Sequence, residues 1–189
     1  MKSIDYKNLA GKYLLLDSNV LINYSKFQTL YEDFFSELRN NKVTLLIDSH
    51  VKFEILRFSK DRKERDSLEE WFIKFGINFE EMEVANPKEL SDYALNVANI
   101  YEKKYNASGN ISLTDCFLAG IMAFYNRNSG QMYLATENHR DFPCSVLFNR
   151  LYVKTIDLHK NDSSSIHNIG IYEFDKKRFD DSKKELGLK

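Results

Sequence analysis

Tyr13-Leu14-Leu15-Leu16 runs straight into Asp17-Ser18-Asn19, with no alternation of polar and apolar positions. An apolar run without alternation reads as a short strand buried on both faces, as in a parallel sheet covered by helices. Asp17 then stands at the strand's carboxyl end, where open α/β sheets gather their ligands. Ser18 and Asn19 carry short polar side chains suited to cap a following helix. Two readings are open for Asp17: a strand end that helps a cap, or one member of an acidic site. The choice depends on whether other acids reach the same place.

Strand and helix patterns alternate along the rest of the chain. Strands are expected at 43–47, at 77–84 as a short edge strand, at 132–136 and at 152–156, and helices at 20–25, 30–39, 50–59, 62–75, 87–105 and 111–125. Val51, Ile55 and Phe58 form one stripe of the 50–59 helix, and Leu68, Trp71, Phe72 and Phe75 mark the next, closed by Gly76. Asn106–Asn110 is a polar loop. The β-α-β-α order argues for a parallel sheet with helices on both faces. Beyond about residue 157 the pattern changes: a serine-rich linker over 161–165, a strand over 169–174, then a charged, helix-compatible tail. At 189 residues the chain is long enough to bury one sizeable core. The expected division is a main domain over 1–157 and a C-terminal extension over 158–189.

Net charge is −1, so no global basic field announces a nucleic-acid partner, although a local basic rim can still hold a phosphate backbone. Cys116 and Cys144 are isolated, which fits a reducing, cytoplasmic setting. Met1–Lys12 lacks the apolar core of a signal peptide and no apolar run approaches transmembrane length, so no membrane contact is expected.

Three further acids belong beside Asp17. Glu54 projects from the apolar stripe of its helix, either into a buried site or toward Arg57 on the next turn. Asp115 follows Ser112 at capping-box spacing and opens a helix that is apolar on nearly every side. The positive helix start favours its ionised form. Thr136-Glu137-Asn138-His139-Arg140-Asp141 follows directly on the strand Met132–Ala135. Carboxylates gathered in one crevice repel, so without a cation some take up protons. Oxygen-only ligands point to magnesium or manganese rather than zinc, and the four histidines show no ligand spacing. Glycine-rich phosphate loops are absent, and Asn19 occupies the position where an aspartyl-phosphatase wants its second acid.

The set Leu16-Asp17-Ser18-Asn19-Val20-Leu21, Glu54, Asp115 and Thr136-x-Asn138-x-x-Asp141-Phe142 resembles the PIN domain family, over roughly residues 12–157. Its closest flavour is the VapC-type toxin ribonuclease of toxin–antitoxin pairs. The resemblance implies a three-layer α/β/α sandwich on a central, about five-stranded parallel sheet, and a Mg2+- or Mn2+-dependent nuclease acting on RNA. It carries Asp17, Glu54 and Asp115 onto the acidic triad and Asp141 onto a more variable fourth acid, with Glu137 as the competing candidate. Ser18, Thr136 and Asn138 would orient the ligands. Arg57 and Arg140, and with them Lys60 or Arg62, would contact flanking phosphates, though each also reads as an ordinary solvated charge. An antitoxin protein and a homodimer are the partners it implies, and an RNA- or protein-binding module without catalysis is the rival reading.

Overall fold

The structure is a computed structural model that describes residues 4–57, 61–74, 80–81, 87–105, 111–127, 132–160 and 163–188. Only the backbone is described at 64, 68, 71–74, 80–81, 158–160 and 163–165. Phe58, Lys60, Phe75, Gly76, the 106–110 loop and the side chains of Leu68, Trp71 and Phe72 therefore lie outside the described residues.

The strands are β1 (Tyr13–Leu16), β2 (Thr44–Ile47), β3 (Glu80–Glu81), β4 (Met132–Thr136), β5 (Phe148–Lys160) and β6 (Ser163–Phe174). The helices are α1 (Ser18–Lys26), α2 (Gln28–Asn40), α3 (Ser49–Leu56), α4 (Arg62–Lys74), α5 (Pro87–Ile100), α6 (Leu113–Tyr125) and α7 (Lys176–Leu186), with a π-helical turn at Tyr101–Tyr105 after α5. The fold is α/β. Its sheet has the order β3-β2-β1-β4-β6-β5. β1 pairs in parallel with both β2 and β4, and β2 with β3. Leu14, Leu15 and Leu16 are all fully buried, so both faces of the sheet's centre are covered, as the unalternating run requires. No helix among the described residues is long and apolar enough to cross a membrane.

The expected all-parallel sheet is corrected to a mixed, six-stranded one. β6 is antiparallel to β4 on one side and to β5 on the other. β5 thus runs in the direction of β4 without pairing to it. The reason is the chain between them: residues 137–147 contain no helix, and a parallel neighbour needs a longer crossover. The gap is filled by the return strand of a hairpin. The boundary expected at 157/158 falls inside β5, and Ser163–Ser165, expected in a linker, begin β6.

Two close approaches position the elements around the sheet's carboxyl edge. A Cβ on Gly120 would stand 2.8 Å from the Ala94 backbone, so glycine lets α6 press directly against α5. A Cβ on Gly170 would stand 2.5 Å from the Tyr172 ring and 3.0 Å from His139. That space is taken by the Tyr172 and His139 rings, and His139 Nδ1, 2.6 Å from the Tyr172 hydroxyl, anchors the turn after β4.

Candidate functional site

Strand order reverses at β1, with β2 on one side and β4 on the other. Open α/β sheets form their ligand crevice at such a switch point, outside the carboxyl ends of the strands. Asp17 follows β1 and caps α1, while Thr136 ends β4. Asp17 is only 3% exposed. Its Oδ1 accepts from the Ser18 backbone at 2.6 Å, and its Oδ2 from Thr136 Oγ1 at 2.6 Å and Asn19 Nδ2 at 2.7 Å. Burial pushes its pKa up, the bonds from Thr136, Ser18 and Asn19 hold it back, and the Glu54 charge adds to the rise. The net direction is upward.

Glu54 comes from α3 and is held by two hydroxyls. Its Oε2 accepts from Ser18 Oγ and its Oε1 from Thr114 Oγ1, each at 2.8 Å. Glu54 therefore faces the site rather than the next turn of its own helix. Ser18 Oγ also lies 3.3 Å from Asp17 Oδ1. One hydroxyl proton serves two acids, and the shorter distance gives it to Glu54.

Asp115 sits at the third position of α6 and forms the expected capping box with Ser112. Its Oδ2 accepts from Ser112 Oγ at 2.6 Å, and its backbone N–H donates back to that oxygen at 3.1 Å. The positive helix start was expected to favour the carboxylate. Instead its pKa is pushed up to about 7: burial contributes most, and the charges of Asp17 and Asp141 raise it further against the Ser112 bond. At 6% exposure, burial and two like charges outweigh one helix dipole. Asp141 lies in the turn after β4, with Oδ2 accepting from Asn138 Nδ2 at 2.5 Å. Asn138 is itself fixed by its backbone N–H donating to Thr136 Oγ1 at 2.9 Å.

Glu137 points elsewhere. It accepts from Tyr31 Oη at 2.6 Å and Asn23 Nδ2 at 3.1 Å, and pairs with His167 Nδ1 at 2.9 Å. Asp141, not Glu137, joins the acids. Arg57 caps the end of α3 and is exposed, as are Arg62 and Arg140. The Arg140 carbonyl accepts from the Tyr105 hydroxyl at 3.2 Å.

No known protein family, curated protein or solved structure matches this chain. What the arrangement can do therefore rests on its own chemistry. Among the described residues, no Lys, Arg or His pairs with any of the four acids. Nor do three or more His, Cys, Asp or Glu side chains there stand close enough to share one ion. The side chains as placed hold each carboxylate on hydroxyl and amide donors rather than gathered around one point. The donor set itself, all oxygen and mutually repelling, suits a hard divalent cation. Sequence reading missed Thr114 and the reach of Asn19, whose Oδ1 also accepts from the Glu137 backbone at 3.0 Å. The signal for Thr114 was its place in the first turn of α6, beside Asp115.

Proposed function

We propose that this chain is a Mg2+- or Mn2+-dependent endoribonuclease of the PIN type, hydrolysing RNA phosphodiester bonds at the crevice of Asp17, Glu54, Asp115 and Asp141. The observation that carries the reading is an acid set, with Asp17 and Asp115 buried and Glu54 and Asp141 half-buried, that has no counter-charge among the described residues and in which the Asp115 carboxyl is pushed up to about 7. Such a set at a switch point lacks a positive partner, and a divalent ion supplies one. The PIN-like three-layer sandwich belongs to the same proposal. The parallel β2-β1-β4 core supports it, and the antiparallel β6-β5 edge is this chain's departure from an all-parallel sheet.

Bound there, the ion would lower the pKa of a water and neutralise charge on the scissile phosphate. Asp17 and Asp115 would hold it directly, with Glu54 and Asp141 holding its waters. Ser18 and Thr114 orient Glu54, Thr136 and Asn19 orient Asp17, and Asn138 orients Asp141. Exposed Arg57 and Arg140, on the elements that carry Glu54 and Asp141, would contact phosphates beside the cleaved bond. The products would be a 5′-phosphate and a 3′-hydroxyl. A toxin role, an antitoxin partner, a homodimer and a cytoplasmic setting are proposed on the sequence resemblance.

The hydroxyl clamps on Asp17 and Glu54 favour one competing reading, a PIN-like module that binds RNA or a partner protein without cutting it. Labelled total RNA incubated with wild type and Asp17→Asn, in Mg2+, Mn2+ or chelator, separates the two. Asparagine retains the capping oxygen, so the variant should fold and lose metal-dependent cleavage. RNA retained on the wild type but left uncut under every metal would favour the binding module. Undiminished cleavage by the variant would end the nuclease proposal at this site.

A further inference from the structure

The turn after α5 carries a buried hydroxyl that nothing described in the structure satisfies. Tyr101 is 1% exposed, and its Oη has no hydrogen-bond partner among the described residues. A buried hydroxyl is normally bonded, so an unmet one at a site needs a reason. Tyr101 opens the π-helical turn Tyr101–Tyr105, and π-helical turns concentrate at functional sites. Tyr105 of that turn donates to the Arg140 carbonyl, tying the turn to the loop that carries Asp141. On the other side, the Ala94–Gly120 contact fixes α5 against α6. Tyr101 lies about two turns further along the first helix, and Asp115 belongs to the first turn of the second.

Burial, followed by the charges of Cys116, Asp115 and Asp141, raises the Tyr101 pKa well above its ordinary value. The phenol therefore stays neutral and offers a proton. It stands in the field of two carboxylates without bonding to either, which is the arrangement expected when one more oxygen belongs between them.

We propose that Tyr101 is a positioning residue of the acidic site, its hydroxyl donating to a water that the site holds together with its divalent cation between Asp115 and Asp141. The inference rests on the metal-dependent reading of the cluster. Removing such an outer partner weakens metal binding by about 10- to 100-fold in comparable sites. Removing an unsatisfied hydroxyl, in contrast, leaves the metal-free fold as stable or more so.

The test uses the full chain as wild type, Tyr101→Phe and, for comparison, Tyr31→Phe, which loses bonds to Glu137 and His167 away from the acids. Mn2+ binding is read by calorimetry and stability by thermal melting in chelator. The expected result is that Tyr101→Phe melts at or above wild type and binds Mn2+ at least about 10-fold more weakly. Tyr31→Phe should melt lower and bind Mn2+ as wild type does. Equal Mn2+ affinity in wild type and Tyr101→Phe overturns the role of Tyr101 alone. A lower chelator melt for Tyr101→Phe, as for Tyr31→Phe, overturns it too, because the hydroxyl then has a structural partner. Wild type that binds no Mn2+ removes this inference together with the metal-dependent reading.

Discussion

Replacing Asp115 by asparagine removes one titration while keeping an acceptor for Ser112, which makes it a direct probe of the acidic cluster. In the fold this carboxyl sits at about 7, against an ordinary value of 3.8. Between those values the native state binds a proton that the unfolded chain releases, so stability falls as pH rises. Over the full interval the effect is on the order of 4 kcal/mol, and between pH 5.5 and 8 about 2 kcal/mol. For a chain of this length that corresponds to a fall of about 6 °C in melting temperature. His139 works in the opposite direction. Burial lowers its pKa, so its contribution is lost as pH falls. The difference between wild type and Asp115→Asn at each pH therefore removes the His139 contribution and reports the carboxyl together with its coupling to Asp17 and Asp141.

In chelator, wild type should lose about 6 °C relative to the variant between pH 5.5 and 8. A cation at the cluster favours ionised Asp115, so Mn2+ should raise the wild-type melt more at pH 8 than at pH 5.5. Thermal melts over that range, with and without Mn2+, measure both. Parallel melting curves for the two proteins in chelator would show that Asp115 ionises normally, and the case for a cation-seeking cluster would fail with it.

Thr136→Val keeps shape at a fully buried position but removes the donor to Asp17 Oδ2 and the acceptor for the Asn138 N–H. It should cost about 2 kcal/mol by denaturant unfolding, and a loss under about 0.5 kcal/mol would mean that these bonds are not made. Gly120→Ala drives a methyl to 2.8 Å from the Ala94 backbone, and should cost on the order of 1–3 kcal/mol although alanine is the better helix former. A more stable Gly120→Ala protein would show that α5 and α6 do not meet there.

Strand positions near the centre of the sheet were legible because burial on both faces leaves a continuous apolar run. Tyr13–Leu16 and Met132–Thr136 emerge at or within a residue of the expected bounds. The edge was not legible, and the reason is physical. Period and composition identify a strand but not its neighbour, so the 152–156 and 169–174 segments gave no hint that the second inserts beside β4. Chain length between strands did not warn of it either, because the expected bounds left 137–151 between them, long enough for a crossover; only the early start of β5 at Phe148 shortens that stretch to 137–147.

At the site, the acids were legible and their supports were only half so. Asp17 and Asp141 stand beside strand ends, and Asp115 carries a capping signature, so local pattern reaches them. Thr114 and Tyr101 carry no such mark, because their parts depend on helices packing across the sheet's edge. The ionisation of Asp115 shows the same division. Its helix position predicts a carboxylate, while its burial, and after that the charges of Asp17 and Asp141, push its pKa up to about 7. A local rule sets what each residue offers; burial, with the like charges that converge on it, decides the state in which it waits. That convergence is what a divalent cation would relieve, and it explains why hydroxyls from Ser18, Thr114, Thr136 and Ser112, rather than lysines or arginines, surround these carboxylates. A neutral donor steadies a carboxylate without cancelling the charge that attracts an ion.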